Sequence, residues 1–385
     1  MSELGDLLFV PGPVNVSMSV AAEMARPMIS HRADRFHELF EDLRDKLRRV
    51  LRTRGEVIVF TASGTGAVEA AVANLAKGRR ALVPGTGEFS TRLAETLRRH
   101  GAEVMVVDAE VGSAPSLEEM KERLEEFQPD IVAMVYNDTS PGVRLSYLRE
   151  LCREAKSRGA LTIVDAVSAV GGDELDVDGW GIDVLAGASQ KCLAAPPGVS
   201  FISLSEDAVA SIVSEPTTFY FDLRRYLRFA ERSETPFTPA VPLFYSLRAA
   251  LSAILERGLD RWIRMHAVRA AALYRAFEEM GFEAFVRRPY RSRTVLSFKP
   301  PRGVSVGTLK AALASRYGIY VAGGLGSLRD KILRVGNMGP ISLRELVTLV
   351  AAVGVELRRL GVKADVGAAI DALEEALEGI SCEGN

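Results

Sequence analysis

The sequence predicts an α/β protein, with a large domain whose mainly parallel, mixed sheet is covered by helices and a smaller C-terminal α+β domain. Three observations carry that prediction. Short β-branched runs alternate with amphipathic helical patterns from Val57 to Leu204, as in sheets covered on both faces. Ser63, Thr139, Asp165 and Lys191 fall at or just beyond the ends of such runs, where open α/β sheets bind ligands. Past Leu204 the alternation loosens, and helices interleave with only three short strands. A chain of 385 residues exceeds one ordinary core. The expected division is an N-terminal arm over 1–16, a large domain over 17–258 and a small domain over 259–385.

The arm ends in Pro11, Gly12 and Pro13, where prolines forbid helix and glycine permits a sharp approach. Helical periodicity from about Phe36 to Leu51 puts Leu39, Phe40, Leu43, Leu47, Val50 and Leu51 on one side. His31 and Arg32, just before it, read either as anion contacts or as a solvated helix start. Val57 to Phe60 is a strand pattern that turns through TASGTG into a helix carrying Ala67, Ala71 and Leu75. Strand, Gly-rich turn and helix form a geometry whose free amides and helix dipole hold phosphate, with Ser63, Gly64 and Thr65 as the cradle. The Walker lysine and a full GxGxxG are absent, so the motif names no ligand, and a tight turn without one explains it equally.

Strands follow at Ala81 to Val83, Val104 to Val107 and Ile131 to Tyr136, the last running into NDTSPG. Helices separate them, one from Ser90 to His100 stopped by Gly101 and one opened by a Ser116/Glu119 capping box. A helix over Ser146 to Arg158 precedes a strand over Leu161 to Val164 that closes on Asp165, and further strands span Asp183 to Ala186 and Val199 to Leu204. Residues 215–242, rich in Pro, Thr and aromatics, read as a crossing or interface segment rather than a core element. The remainder carries helices near 243–256, 260–280, 305–316 and 342–360, with strands near 294–298, 318–321 and 332–335.

Three charged residues stand where a solvated charge does not belong. Lys191, one of nine lysines against 39 arginines, sits between two buried strands among Gly187, Ala188, Ser189, Ala194, Pro196 and Pro197. An amine held among apolar groups loses basicity and becomes a nucleophile for carbonyls; a loop lysine on the surface is the plain alternative. Asp165 is followed by small apolar residues, so its carboxylate needs a cationic or N–H partner, such as a pyridinium nitrogen, a helix N-terminus or a structural ion pair. Arg334 lies inside the apolar run ILRVG, either paired structurally or presenting a fork for a carboxylate.

Composition narrows the partners. A net charge of −2 with no basic block gives no case for nucleic acid or a membrane surface, and no apolar run approaches the roughly 20 residues of a bilayer span. The start has no basic region before its short apolar run, and Cys152, Cys192 and Cys382 form neither a disulfide framework nor a zinc site. A cytoplasmic protein without a metal centre is expected.

The ordered set PGP, SGTGAVEAA, NDTSPG, IVDAVSAVGG, GASQKCLAAPPG, TPFTPAVPLFYSLRAAL, GGLG and LRVGNMG, spread over almost the whole chain, resembles the class V pyridoxal-phosphate aminotransferases of fold type I. The likeness is strongest to the alanine-glyoxylate/serine-pyruvate aminotransferase group. It implies Lys191 as Schiff-base lysine and acid/base, and Asp165 as partner of the pyridine nitrogen. Val167 and Phe89 would flank the ring, Phe89 standing where relatives often carry tryptophan, and Thr139 would lie near the ring oxygen. Ser63, Gly64, Thr65 and Gln190 match the phosphate cup, while Thr235 and Thr238 match residues that reach the neighbouring subunit's phosphate in a homodimer with shared sites. Some relatives carry tyrosine at the Thr235 position. Arg334 matches the arginine that takes the substrate carboxylate, with His31 and Arg32 at the substrate entrance.

The implied reaction moves an amino group from serine or alanine to glyoxylate or pyruvate in ping-pong order. An acidic donor (aspartate, phosphoserine or aminoethylphosphonate) remains open because Arg32 leaves room for a second anion. A lyase such as a cysteine desulfurase is disfavoured, since those relatives place histidine before the lysine and this chain has Gln190. A non-catalytic phosphate- or nucleotide-binding protein leaves Lys191, Asp165 and Arg334 unexplained.

Overall fold

The computed structural model describes residues 5–381. Its strands, in chain order, are β1 (Leu7–Phe9), β2 (Glu56–Phe60), β3 (Arg80–Pro84), β4 (Glu103–Val107), β5 (Ile131–Val135), β6 (Asn137–Asp138) and β7 (Val143–Arg144). They continue as β8 (Leu161–Asp165), β9 (Val184–Ala188), β10 (Ser200–Leu204), β11 (Glu283–Ala284), β12 (Val295–Lys299), β13 (Ile319–Gly323) and β14 (Leu333–Gly336). Seven of them form the large sheet in the order β2-β10-β9-β8-β5-β3-β4. Only β10 runs against its neighbours; the other pairs are parallel. The mainly parallel mixed sheet read from the sequence is the one observed.

Burial on both faces explains why these strands read as apolar runs. Along β5, Val132 and Met134 enter one core while Ile131, Ala133 and Val135 enter the other. The first core is capped by the helices Asp34–Leu51, Leu117–Phe127, Leu148–Ser157 and Val241–Arg257. Within it Phe36, Phe40 and Phe244 stack with ring centroids 5.8–6.2 Å apart, each pair worth about 0.5–1.5 kcal/mol beyond its area. The second core packs the helices Gly64–Leu75 and Glu88–Arg99 on the opposite face.

A third core belongs to the five-stranded sheet β1-β13-β14-β12-β11. The helix Leu259–Glu279 enters it with Leu273 and Phe277, and Phe277 stacks on Phe298 at 4.6 Å. Among the described residues no helix is long and apolar enough to cross a membrane. Cys152 and Cys192 are free thiols, and Cys382 lies outside the described residues.

Three segments differ from the sequence reading. The extended arm carries a strand that the sequence did not single out: β1 pairs in parallel with β13, Leu7 opposite Ile319, and Phe9 enters the small core. A three-residue strand carries too few residues for a period to show. Within 215–242 the chain forms the helix Leu223–Ala230, capped by the Asp222 side chain on the Arg224 amide, and its Leu223 and Tyr226 are core residues. The flanking Pro and Thr hid an eight-residue periodicity. A final helix, Val366–Ser381, packs Ala369, Leu373 and Ala376 into the small core and was not anticipated.

Candidate active site

The carboxyl ends of β5 and β8, the connection from β9 to β10 and two helix N-termini converge on one cleft. It brings together Gly64, Thr65, Phe89, Thr139, Asp165, Val167 and Lys191, residues separated by as much as 127 positions. Sheet topology does this: the parallel order places the ends of adjacent strands β5, β8 and β9 side by side.

Lys191 follows β9, and its Nζ donates to the carbonyl of Pro11. Gly12 makes that approach possible. It has φ +97°, and a Cβ there would fall 2.5 Å from the Lys191 nitrogen. Burial holds the ammonium below its ordinary range, with Asp165 acting in the opposite sense. Asp165, the last residue of β8, accepts from the Val167 amide at 3.0 Å through Oδ1. Burial pushes its carboxyl up to about 6; the Val167 N–H pulls it down, the nearby Asp138 pushes further up, and Lys191 and Arg92 pull down.

Ser63 caps the helix Gly64–Leu75, its Oγ accepting from the Gly66 amide at 3.3 Å and its carbonyl from Ala67. The first two helical amides, Gly64 and Thr65, are left without intrahelical acceptors and face outward along the helix axis, the disposition that suits an anion. Gly64 is required at this turn, because a Cβ would stand 2.7 Å from Val167. Gln190 neighbours Lys191, and its Oε1 is buried without a hydrogen-bond partner. Asn137 also lines the cleft; its Nδ2 binds Ser168 and Thr294 while its Oδ1 has no partner.

Arg334 on β14 is 5% exposed. Its Nε donates to Gly323 at 2.7 Å and its Nη1 to the Thr139 carbonyl at 2.6 Å. Burial pulls the guanidinium down to about 10, which leaves it cationic at neutral pH. The two carbonyls neutralise no charge, and among the described residues no carboxylate is hydrogen-bonded to it, though Asp138 lies near enough to favour its charge.

Arg32, His31, Thr235 and Thr238 do not line this cleft. Arg32 is exposed and pairs with Glu234 at 2.6 Å, donates to the Thr235 carbonyl at 2.8 Å and lies over the Phe229 ring. Thr235 is buried and donates to Phe237. Sequence reasoning missed Arg92 and Asn137 in the cleft lining and Asp138 beneath it. Arg92 stands 4.7 Å over the Phe89 ring and lines the cleft; an arginine on an exposed helix face carries no signal of its own. Asp138 is wholly buried beneath Phe89, and a carboxylate in NDTSPG could have drawn attention as a charge needing partners. Cys192 is buried with its thiol pushed up to about 12 by burial, its Sγ directed at Ser168. It packs, and is no nucleophile.

A primary amine of lowered basicity, a carboxylate in want of a cation and an amide cradle for an anion meet in one cleft, with a buried arginine beside it, an arrangement that suits work on amino acids through a bound aldehyde cofactor. Residues 14–339 match the aminotransferase class-V family, to which the chain belongs. It is 38% identical to an uncharacterised aminotransferase of Methanocaldococcus jannaschii over 92% of this chain and 93% of that one. Among solved structures it is similar to an alanine–glyoxylate aminotransferase from Nostoc sp., with TM-score 0.87, 31% identity and coverage of 93% and 97%. It is similar also to an aspartate aminotransferase from Thermus thermophilus, with TM-score 0.83, 34% identity and coverage of 97% and 100%.

The protein is thus a transaminase, and pyridoxal 5'-phosphate is its cofactor. The residues present fit that group. Lys191 offers the amine, Asp165 a carboxylate whose Oδ2 has no hydrogen-bonded partner among the described residues, the Gly64 and Thr65 amides an anion cradle, and Phe89 and Val167 apolar walls.

Proposed function

We propose that the enzyme transfers the amino group of a small amino acid, serine or alanine, to a 2-oxo acid, glyoxylate or pyruvate, with donor and acceptor taking turns in one site. The carrying observation is Arg334, a buried cation held by two carbonyls beside the cleft of Lys191. One such fork suits one carboxylate.

In this reading the cofactor supplies an electron sink, and the chain's own residues do the rest. Asp165 would keep a ring nitrogen protonated by its charge. Ser63, Gly64, Thr65 and Gln190 would hold the phosphate, Phe89 and Val167 would flank the ring, and Thr139 would lie near the ring oxygen. Lys191 takes the proton from the substrate's Cα and returns it on the other side of the transfer, for which an amine of lowered basicity is suited. Arg334 orients the substrate so that this proton faces Lys191.

A homodimer with shared sites is part of the proposal. Thr235 and Thr238 would reach the partner's phosphate, and the bond from Arg32 to the Thr235 carbonyl ties Arg32 to that segment. A second reading, an acidic donor such as aspartate, phosphoserine or aminoethylphosphonate, is favoured by Arg92, a cleft cation with no carboxylate partner among the described residues.

Mixing the purified holoenzyme with single amino acids and following its visible absorbance tests both. Rapid loss of colour with alanine or serine, restored by glyoxylate or pyruvate, supports the first reading. Bleaching only by acidic donors supports the second, and no response to any amino acid refutes both.

A further inference from the structure

Asp138 is a fully buried carboxylate near the cleft, and among the described residues no cation pairs with it. Its Oδ2 accepts from the amides of Phe89 and Ser90, both at 3.0 Å, and from Thr86 Oγ1 at 3.4 Å. Its Oδ1 accepts from the Ser140 amide at 3.0 Å and from Ser140 Oγ at 2.6 Å. Ser140 Oγ in turn accepts from the Glu88 amide at 2.8 Å. Three consecutive amides opening the helix Glu88–Arg99 are therefore held by one carboxylate and its hydroxyl partner. This helix lacks a side-chain cap of its own, because Gly87 occupies its N-cap position. A Cβ at Gly87 would stand 2.5 Å from Ser140 Oγ and 2.8 Å from Asp138 Oδ1, so the glycine admits a cap brought from β6 instead.

The consequence reaches the cleft on two sides. Phe89 is the second residue of that helix, its ring backed by Arg92. The residue after Asp138 is Thr139, whose carbonyl holds Arg334. We propose that Asp138 is a positioning residue for transamination: by capping the helix from outside, it fixes the Phe89 ring against the cofactor and ties that placement to the strand that holds Arg334. A side chain placed by a buried, fully hydrogen-bonded carboxylate has little freedom to drift, which is what stacking on a planar ring demands. The proposal rests on the reading above that Phe89 stacks on the cofactor.

The test is a double-mutant cycle read as cofactor affinity of the apoenzyme and as the visible circular dichroism of the bound cofactor. Phe89→Ala alone should weaken cofactor binding by about tenfold. Asp138→Ala should weaken it by a similar factor and reduce the dichroic band, and in the Phe89→Ala background it should add little, because two groups acting through one contact are not additive. Asp138→Asn, which keeps the shape and one acceptor, gives the same cycle if the alanine variant does not fold. Full additivity, or an unchanged dichroic band in the Asp138 variants, would overturn the positioning role. An unaltered affinity in Phe89→Ala would instead overturn the stacking reading on which it stands.

Discussion

The side-chain nitrogen of Lys191 donates to the carbonyl of Pro11, 180 positions earlier in the chain. The arm that leads to Pro11 carries a strand of the five-stranded sheet, so the Lys191 amine beside the seven-stranded sheet is held by a segment anchored in the other core. Replacing Gly12 with alanine would put a methyl group 2.5 Å from Lys191 Nζ and 2.6 Å from its Cδ, at a φ that also disfavours a side chain. The backbone cost is about 1–2 kcal/mol. The expected outcome is a turnover number at least about tenfold lower, equivalent to 1.4 kcal/mol in the barrier, with the KM for substrate little changed. Wild-type turnover accompanied only by a lower melting temperature would mean that the contact is idle.

Asp165 gives a pH dependence with a definite sign. Its carboxyl rises from 3.8 to about 6 on folding of the apoenzyme, chiefly through burial. A raised carboxyl favours the folded apoenzyme most when protonated, so this contribution declines as pH rises from about 4 to 6. In the proposed role the charged form is the one that would pair with a protonated ring nitrogen. Cofactor affinity should therefore fall as pH is lowered through about 6, and the gap between holo- and apoenzyme melting temperatures should widen as pH rises through it. Asp165→Asn should flatten both curves; a gap independent of pH in the unaltered enzyme would contradict the assignment.

What the sequence revealed follows from how local each signal is. Strand ends at Phe60 and Asp165, and the Ser116/Glu119 capping box, are written in neighbouring residues and were readable. Lys191 and Arg334 stood out because a charge inside an apolar run is locally anomalous. Pro11 as partner of Lys191, the pairing of β1 with β13 and the cap that Asp138 gives a distant helix depend on contacts between remote segments. Arg92 lies between these cases, an ordinary helix arginine until the fold places it in the cleft. Arg32, whose local setting allowed an anion contact or a solvated helix start, pairs with Glu234 across 202 positions, a partner no local pattern could show.

Arg334→Ala should raise the KM for both the amino acid and the 2-oxo acid, lowering kcat/KM by about 10- to 100-fold, the equivalent of about 1.5–3 kcal/mol for a charge-assisted contact. Arg334→Lys should recover little, because one ammonium cannot hold Gly323 and Thr139 and also fork a carboxylate. Steady-state kinetics with alanine and with glyoxylate checks both. Normal kcat/KM in the alanine variant would remove Arg334 from the substrate site.

Gly64→Ala probes the junction of the anion cradle and the ring wall. The added methyl would lie 2.7 Å from one Val167 methyl, 2.9 Å from the other and 3.2 Å from the Ala188 Cβ. All three belong to buried or half-buried elements with little room to yield, so overpacking should cost about 1–3 kcal/mol of stability. Cofactor affinity should drop together with the melting temperature of the apoenzyme. A loss of stability with unchanged cofactor binding would place the phosphate elsewhere than on the Gly64 and Thr65 amides.

Arg32 can be separated from a substrate role by what it holds. Its guanidinium bridges Glu234 and the Thr235 carbonyl and rests on Phe229, so its loss first frees the 234–238 segment. If that segment serves the partner's phosphate, Arg32→Ala should weaken cofactor binding several-fold and make it depend on protein concentration. It should leave the ratio of aspartate to alanine turnover unchanged. Glu234→Gln keeps the bridge's shape and removes its charge, and should produce a milder form of the same defect, an exposed pair being worth about 0–1 kcal/mol. A selective loss of aspartate turnover in Arg32→Ala, with cofactor affinity intact, would instead make Arg32 a contact for an acidic side chain. Cofactor titration of the apoenzyme at two protein concentrations, beside kinetics with both donors, distinguishes the two outcomes.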